Sequence, residues 1–66
     1  MSLADRIAPA LFAMSLAIEI LQKAADSLQL AGLVADAGRL RGISEALTAE
    51  RAAVKAEAEK RVNTHG

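Results

Sequence analysis

Cysteine is absent from the 66-residue chain, which also has a single histidine and a single aromatic residue. Without cysteine the protein can form neither a disulfide nor a thiolate metal site. His65 stands beside the C-terminus, so no structural metal is expected. A domain this small buries only about 60% of its unfolded surface and usually needs a staple, a metal or a partner. Association is the one of these that the composition leaves open.

Neither sign of charge is in excess, because eight Lys and Arg balance eight Asp and Glu. The balance gives no long-range attraction to nucleic acid or to anionic lipid. Arg39 and Arg41 form a basic pair, but Asp36 and Glu45 flank them and no aromatic side chain accompanies them to stack on bases. We therefore expect no nucleic-acid partner.

Groups that could perform chemistry are missing from the pattern. A nucleophile with a neighbouring base is not available, because His65 lies at the expected frayed end and cysteine is lacking. Glu57 and Glu59 are two positions apart and face different directions on a helix. The internal glycines follow no strand, so they form no phosphate loop. We expect a protein without enzymatic activity, cofactor, metal or small-molecule substrate.

Alanine and leucine dominate the sequence, which predicts an all-α fold. Ser2 followed by Asp5 fits a helix-capping pattern, and Gly32 fits the position just after a helix, so helix 1 is expected at about 3–31. Pro9 would lie inside this helix and loosen its first turns. Alternatively, the regular helix begins near Pro9.

A second helix is expected at about 33–62, followed by a frayed tail at 63–66. Gly38 and Gly42 weaken its first turns by about 1 kcal/mol each relative to alanine. A break near Gly42, with Ser44 capping a third helix, is the alternative. The short connection predicts an antiparallel helical hairpin as a single domain, with association into a helical bundle.

The hairpin core is predicted from apolar periodicity. In helix 1, nine positions follow alternating steps of four and three, the seam pattern of a coiled coil: Leu3, Ile7, Ala10, Met14, Ala17, Leu21, Ala24, Leu28 and Ala31. Leu11, Ile18 and Ala25 widen this stripe. A narrower stripe on helix 2 comprises Leu40, Ile43, Leu47, Val54, Ala58 and Val62. From both we predict a core of Ile7, Leu11, Met14, Ile18, Leu21, Leu28, Leu40, Leu47 and Val54. Arg51, at the centre of the second stripe, is expected to lean toward solvent, the alternative being a polar contact that fixes the register.

Helix 1 carries a second apolar stripe on its opposite side, formed by Phe12, Leu16 and Ile20 and called the ridge below. These three large side chains would forgo about 1.5–3 kcal/mol each if they stayed in water. A bend at Pro9 that lets helix 2 cover some of them is the alternative. Contiguous apolar patches usually mark contacts, so we predict that the ridge is a partner interface.

The back of helix 2 is lined by small residues and is called the small-residue edge below. Its members assigned to the partner interface are Gly38, Gly42, Ala49 and Ala53, and Ala46 and Ala56 accompany them. Small side chains let a second helix approach closely. Alanine also favours an exposed helix without any partner.

The leading functional hypothesis is a small protein-interaction module of adaptor, chaperone-like or regulatory type, acting through helix–helix packing as a homo-oligomer. Its partner would be a second copy of the chain, a larger protein or both. The alternative is a structural subunit of a larger assembly, such as a phage or a secretion apparatus. A third hypothesis, an amphipathic protein on a membrane surface, is disfavoured because Glu19 interrupts the apolar run 7–21, which falls short of the roughly 20 residues of a span. Since Asp5 and Arg6 cancel at the start of a would-be signal peptide, we expect a cytoplasmic protein.

In length and predicted shape the chain is similar to the helical-hairpin co-chaperones of bacterial type III secretion and to plasmid copy-number regulators that dimerise as hairpins. The likeness covers the whole chain but rests on no motif. It implies a bundle of hairpins and a chaperone-like or regulatory role, and it assigns no site residues.

Overall fold

Two long helices make up the chain in the computed structural model, which describes residues 2–65 and the side chains of residues 2–62. Helix α1 spans Leu3–Leu30 and helix α2 spans Val34–His65. Contacts between Arg51 and Leu11 and between Arg41 and Asp26 show that α2 returns along α1 in the opposite direction. The predicted all-α helical hairpin is confirmed.

Helix α1 begins at the predicted cap. The Asp5 N–H donates to the Ser2 hydroxyl oxygen at 3.2 Å, and the Arg6 N–H donates to the Ser2 carbonyl at 3.1 Å. Ser2 thus satisfies a backbone N–H that has no partner within the helix. Pro9 lies inside the helix, so the alternative start near Pro9 is wrong.

The turn between the helices is set by Gly32. Its φ of 86° lies in the left-handed region, and its N–H donates to the Gln29 carbonyl at 3.0 Å. The Leu33 N–H donates to the Leu28 carbonyl at 2.9 Å. This pair of bonds is the Schellman arrangement that ends a helix and reverses the chain.

Replacing Gly32 with alanine is expected to destabilise the hairpin by about 1 kcal/mol, because an L side chain is strained at this positive φ. Gly42→Ala is the matched control, since a Cβ added at Gly42 meets no atom within 4 Å and its φ is ordinary. That control should stabilise α2 by about 0.8 kcal/mol. Thermal unfolding followed by circular dichroism would measure both changes. Equal effects of the two substitutions would contradict this account of the turn.

Helix α2 is continuous, so the predicted alternative of a break near Gly42 with Ser44 capping a third helix is wrong. Ser44 lies inside the helix and is only 3% exposed. Its burial against α1 holds the helix through Gly38 and Gly42 despite their low helix propensity. The helix also starts one residue later than expected, after Leu33, and continues three residues beyond the predicted end. Gly66 lies outside the described residues.

Small side chains form the fully buried part of the seam between the helices. Ala25 and Ala37 are completely buried, and Ser44 and Ala58 nearly so. The nine predicted core residues are all half-buried: Ile7, Leu11, Met14, Ile18, Leu21, Leu28, Leu40, Leu47 and Val54. Within the described side chains no large one is fully buried. Two helices can enclose only the small residues on the line of contact.

Seven of the nine predicted seam positions on α1 are part-buried, and the seam is shifted toward the flanking column that was expected to widen it. On α1 it includes Leu11, Ile18 and Ala25, whereas Ala10 and Ala31 are exposed. On α2, Ile43 and Val62 are about half exposed, and Ser44 is buried instead. The apolar pattern of α1 fits a seam through Ala10 and Ala17 as well as a seam through Leu11 and Ile18. Packing favours the second column because its side chains are larger.

Arg51 makes a polar contact inside the seam. Its Nε donates to the carbonyl oxygen of Leu11 at 3.1 Å in a part-buried position. The expectation that Arg51 leans toward solvent is therefore wrong, and a polar contact within the seam is observed instead. The guanidinium can reach this acceptor because the α1 backbone at Leu11 lies close to Arg51.

Candidate interaction surfaces

The hairpin is a single layer of helices, and residues 2–65 contain no third element that covers it. Its Cα atoms extend over 52 × 16 × 8 Å, and its radius of gyration is 15.4 Å, against about 11 Å for a compact domain of 66 residues. The accessible surface is 4866 Å², whereas a compact monomer of this mass exposes about 4,000 Å². The excess surface belongs to two broad faces and two narrow edges.

The ridge occupies one edge, on the side of α1 away from α2. Phe12 is 71% exposed, Leu16 47% and Ile20 57%. Helix α2 covers none of the three, so the alternative in which a bend at Pro9 hides part of the ridge is wrong. Glu19 and Lys23 form an exposed ion pair beside the ridge, with 3.4 Å between the Glu19 Oε1 and the Lys23 Nζ.

The small-residue edge is the opposite edge of the layer. Gly38, Gly42, Ala49 and Ala53 are all exposed there. A Cβ added at Gly38 or Gly42 would meet no atom within 4 Å. The hairpin itself therefore does not require glycine at either position.

A groove runs along each of the two broad faces. One groove, of about 430 Å³, is lined by Leu3, Glu50, Val54 and Glu57 among others. Helix positions seven apart share a face, so this face also carries the following residues: Ala10, Ala17 and Ala24 of α1, and Asp36, Leu40, Ile43 and Leu47 of α2. We call it the alanine face.

The other broad face is apolar at the open end of the hairpin and polar toward the turn. A groove of about 510 Å³ on it is lined by Ala8, Leu11, Lys55 and Val62 among others. Steps of seven add the following residues: Ser15, Gln22 and Gln29 of α1, and Arg41 and Thr48 of α2. We call it the polar face.

Helix–helix polar contacts cross the polar face near the turn. One Arg41 guanidinium nitrogen, Nη1, donates to Gln29 Oε1, and Nη2 donates to Asp26 Oδ1, both at 2.9 Å. Asp26 and Arg41 thus form an interhelical ion pair. Exposed pairs of this kind contribute at most about 1 kcal/mol, so Arg41 helps to align the helices without dominating stability.

Sequence reasoning missed an apolar cluster at the turn. Leu30 is 90% exposed, Leu33 50% and Val34 59%. Leu30 follows the last seam residue of α1, Leu28, by two positions. That spacing points Leu30 away from the seam. Its exposure could therefore have been predicted from the sequence once the seam was placed.

Helix α1 is also long and apolar enough to cross a membrane, as judged by length and composition. Its 28 residues include an 18-residue window with a mean hydropathy of 1.4. This is weak evidence, because the core helix of a soluble bundle and a signal sequence have the same property. Among the described residues, no cluster of three or more His, Cys, Asp or Glu side chains is placed to hold a metal ion.

No protein family, curated protein or solved structure matches the chain. The structure places the predicted interface residues on two opposite edges, the ridge on one and the small-residue edge on the other, and it does not bring them together.

Proposed function

We propose that the chain is a non-enzymatic protein-interaction module that binds a helix of another protein through its ridge and self-associates as hairpins in a helical bundle. The observation that carries this proposal is the exposure of Phe12, Leu16 and Ile20 on a hairpin that has nothing left to cover them. Adaptor, chaperone-like and regulatory roles all use such a surface.

The size of these side chains sets the energy that a contact would gain. Burying each of them in a contact would gain about 1.5–3 kcal/mol relative to water. Their spacing of four residues aligns them along α1, which suits the groove of an amphipathic partner helix. Aromatic side chains are frequent anchors of protein interfaces, so Phe12, the most exposed of the three, is the expected anchor.

The structural-subunit alternative is favoured by one specific observation. Apolar or small surfaces lie on both edges of the layer, so a neighbour on each side could bury one of them. Contacts between unlike surfaces that do not close form open filaments. Sedimentation velocity over a hundredfold range of concentration would show growing polymers in that case, and a species of fixed mass for the adaptor.

Leu16→Glu should reduce partner binding at least tenfold, because a carboxylate in the middle of the ridge would have to be desolvated. Ser15→Glu is the matched control, since Ser15 is the exposed neighbour on the polar face. Affinity capture from the native host identifies the candidate partner, and titration of that purified partner against each variant gives the dissociation constants.

A partner that binds wild type and Leu16→Glu equally would contradict a role for the ridge. Flotation with anionic liposomes separates the membrane hypothesis from this proposal. If the chain floats with vesicles and Leu16→Glu abolishes flotation, the ridge contacts lipid and the proposed function is wrong.

A further inference from the structure

The ridge lies between two opposite charges on the same side of α1. Asp5 stands before it and Lys23 after it, and both side chains are exposed. Together with the ridge they form one stripe of alternating steps of four and three, called the outer stripe below: Asp5, Pro9, Phe12, Leu16, Glu19 and Lys23. Ile20 lies beside this stripe. The edge of α1 that faces away from α2 thus has an apolar centre, an acidic end and a basic end.

The outer stripe is complementary to its own reversed copy. Phe12 and Leu16 lie two residues before and after position 14. Asp5 and Lys23 lie nine residues before and after the same position. Two copies of α1 packed antiparallel about that level therefore place Phe12 against Leu16, and the same register places Asp5 against Lys23, each contact occurring twice. A parallel pair would instead bring like charges together at both ends, which is repulsive.

We infer that a second copy of this chain packs antiparallel on the outer stripe, so that the protein masks its own ridge until a partner helix replaces the second copy. The inference rests on the proposed function, which includes both a partner at the ridge and self-association, and it assigns the two contacts to one surface. The dimer and the partner-bound hairpin are then alternative states. A partner that binds only the separate hairpin shifts the population away from the dimer.

Charge complementarity supports a second copy as the occupant. Among the side chains of residues 2–62, no ion pair involves the Asp5 carboxylate, so it can pair with the Lys23 ammonium group of the second copy. Lys23 can keep its own Glu19 as well, because an ammonium group has three donors. Pairs of this kind at the rim of a contact set its direction and register more than its affinity.

The contact is expected to be reversible. Helix α2 lies on the other side of α1, so a second α1 can approach without moving any element of residues 2–65. Ile20 comes level with Ala8 of the second copy, whose small side chain leaves room for it. Glu19 comes level with Pro9 of the second copy and gains no pairing there. A partner helix that is apolar at this level would pack better and could displace the second copy.

Charge reversal at the two ends of the outer stripe tests the pairing. Asp5→Lys gives both ends of the stripe a positive charge, and Lys23→Asp gives both ends a negative charge. Each single variant should therefore raise the dimer dissociation constant about tenfold or more at low ionic strength. The double variant Asp5→Lys/Lys23→Asp should dimerise like wild type. An equimolar mixture of the two single variants should form a heterodimer, because every pair then joins opposite charges.

Ala4→Lys and Gln22→Asp are the matched controls. Each adds the same charge one position away from the tested residue, on the polar face, and both positions are exposed. They meet nearly the same helix dipole as the single variants and should stay dimeric. Sedimentation equilibrium with interference detection measures the mass, because the chain has no Trp or Tyr to absorb near 280 nm. Circular dichroism checks that each variant keeps its helicity.

The outcomes separate this inference from the proposed function. Recovery of the dimer in the double variant and in the mixture, after its loss in each single variant, supports the antiparallel contact. Single variants that dimerise like wild type, or a mixture that stays monomeric, would overturn it. A wild type that is monomeric at about 1 mM would overturn the inference and the self-association, whereas partner binding through the ridge is tested separately by capture. A dimer that keeps its mass while the captured partner occupies the ridge would overturn the masking.

Discussion

Ala37→Lys is expected to abolish cooperative folding of the hairpin. Ala37 is completely buried in the first turns of α2, where the two helices meet just after the turn. A lysine there would either bury its ammonium group, at a cost of several kcal/mol, or push the helices apart. Two helices of this size have at most a few kcal/mol of stability to lose. Circular dichroism should show weak, non-cooperative melting.

Ala35→Lys is the control for this substitution. Ala35 is exposed two positions earlier in the same helix, so an added positive charge meets nearly the same unfavourable helix dipole at both sites. The difference between the two variants therefore reports burial alone, and we expect at least 3 kcal/mol. If both variants melt like wild type, the helices do not pack at Ala37 as described.

Arg51→Ala is expected to destabilise the folded protein by about 2 kcal/mol, the value typical of a hydrogen bond with a charged group. The substitution removes the bond from Nε to the Leu11 carbonyl and the packing of the arginine stem across the seam. Chemical denaturation measured at fixed protein concentration would give the change, since self-association adds to apparent stability.

Two further variants identify the source of the Arg51 effect. Arg51→Lys keeps the charge but lacks a planar guanidinium, so it should recover less than half of the loss. Arg41→Ala removes the exposed bridge to Asp26 and Gln29 and should cost less than about 1 kcal/mol. A larger loss at Arg41 than at Arg51 would show that the polar face, rather than the seam, holds the helices in register.

The helix ends could be predicted closely from local chemistry. Ser2 and Gly32 act on backbone groups within a few residues of themselves, and the structure uses both as the sequence indicates. The effect of Gly42 was harder to judge, because its low propensity competes with packing along the whole length of α2. Packing against α1 outweighs the low propensity of Gly42, and the helix is continuous.

The exact line of the seam could not be predicted. The heptad pattern of α1 is satisfied by the column through Ala10 and Ala17 or by the column through Leu11 and Ile18, which differ by a rotation of about 100°. Which column of α1 is buried depends on the residues of α2 that pack against it, namely Ala37, Ser44 and Ala58.

The amino-acid sequence by itself determined the helical class, the hairpin, its turn at Gly32 and the ridge, because each follows from backbone propensity or from spacing within one helix. Tertiary structure decided which side chains are enclosed, how Arg51 is satisfied and which residues each broad face carries. These depend on the rotation of one helix against the other, and that rotation is set by packing between residues far apart in the chain.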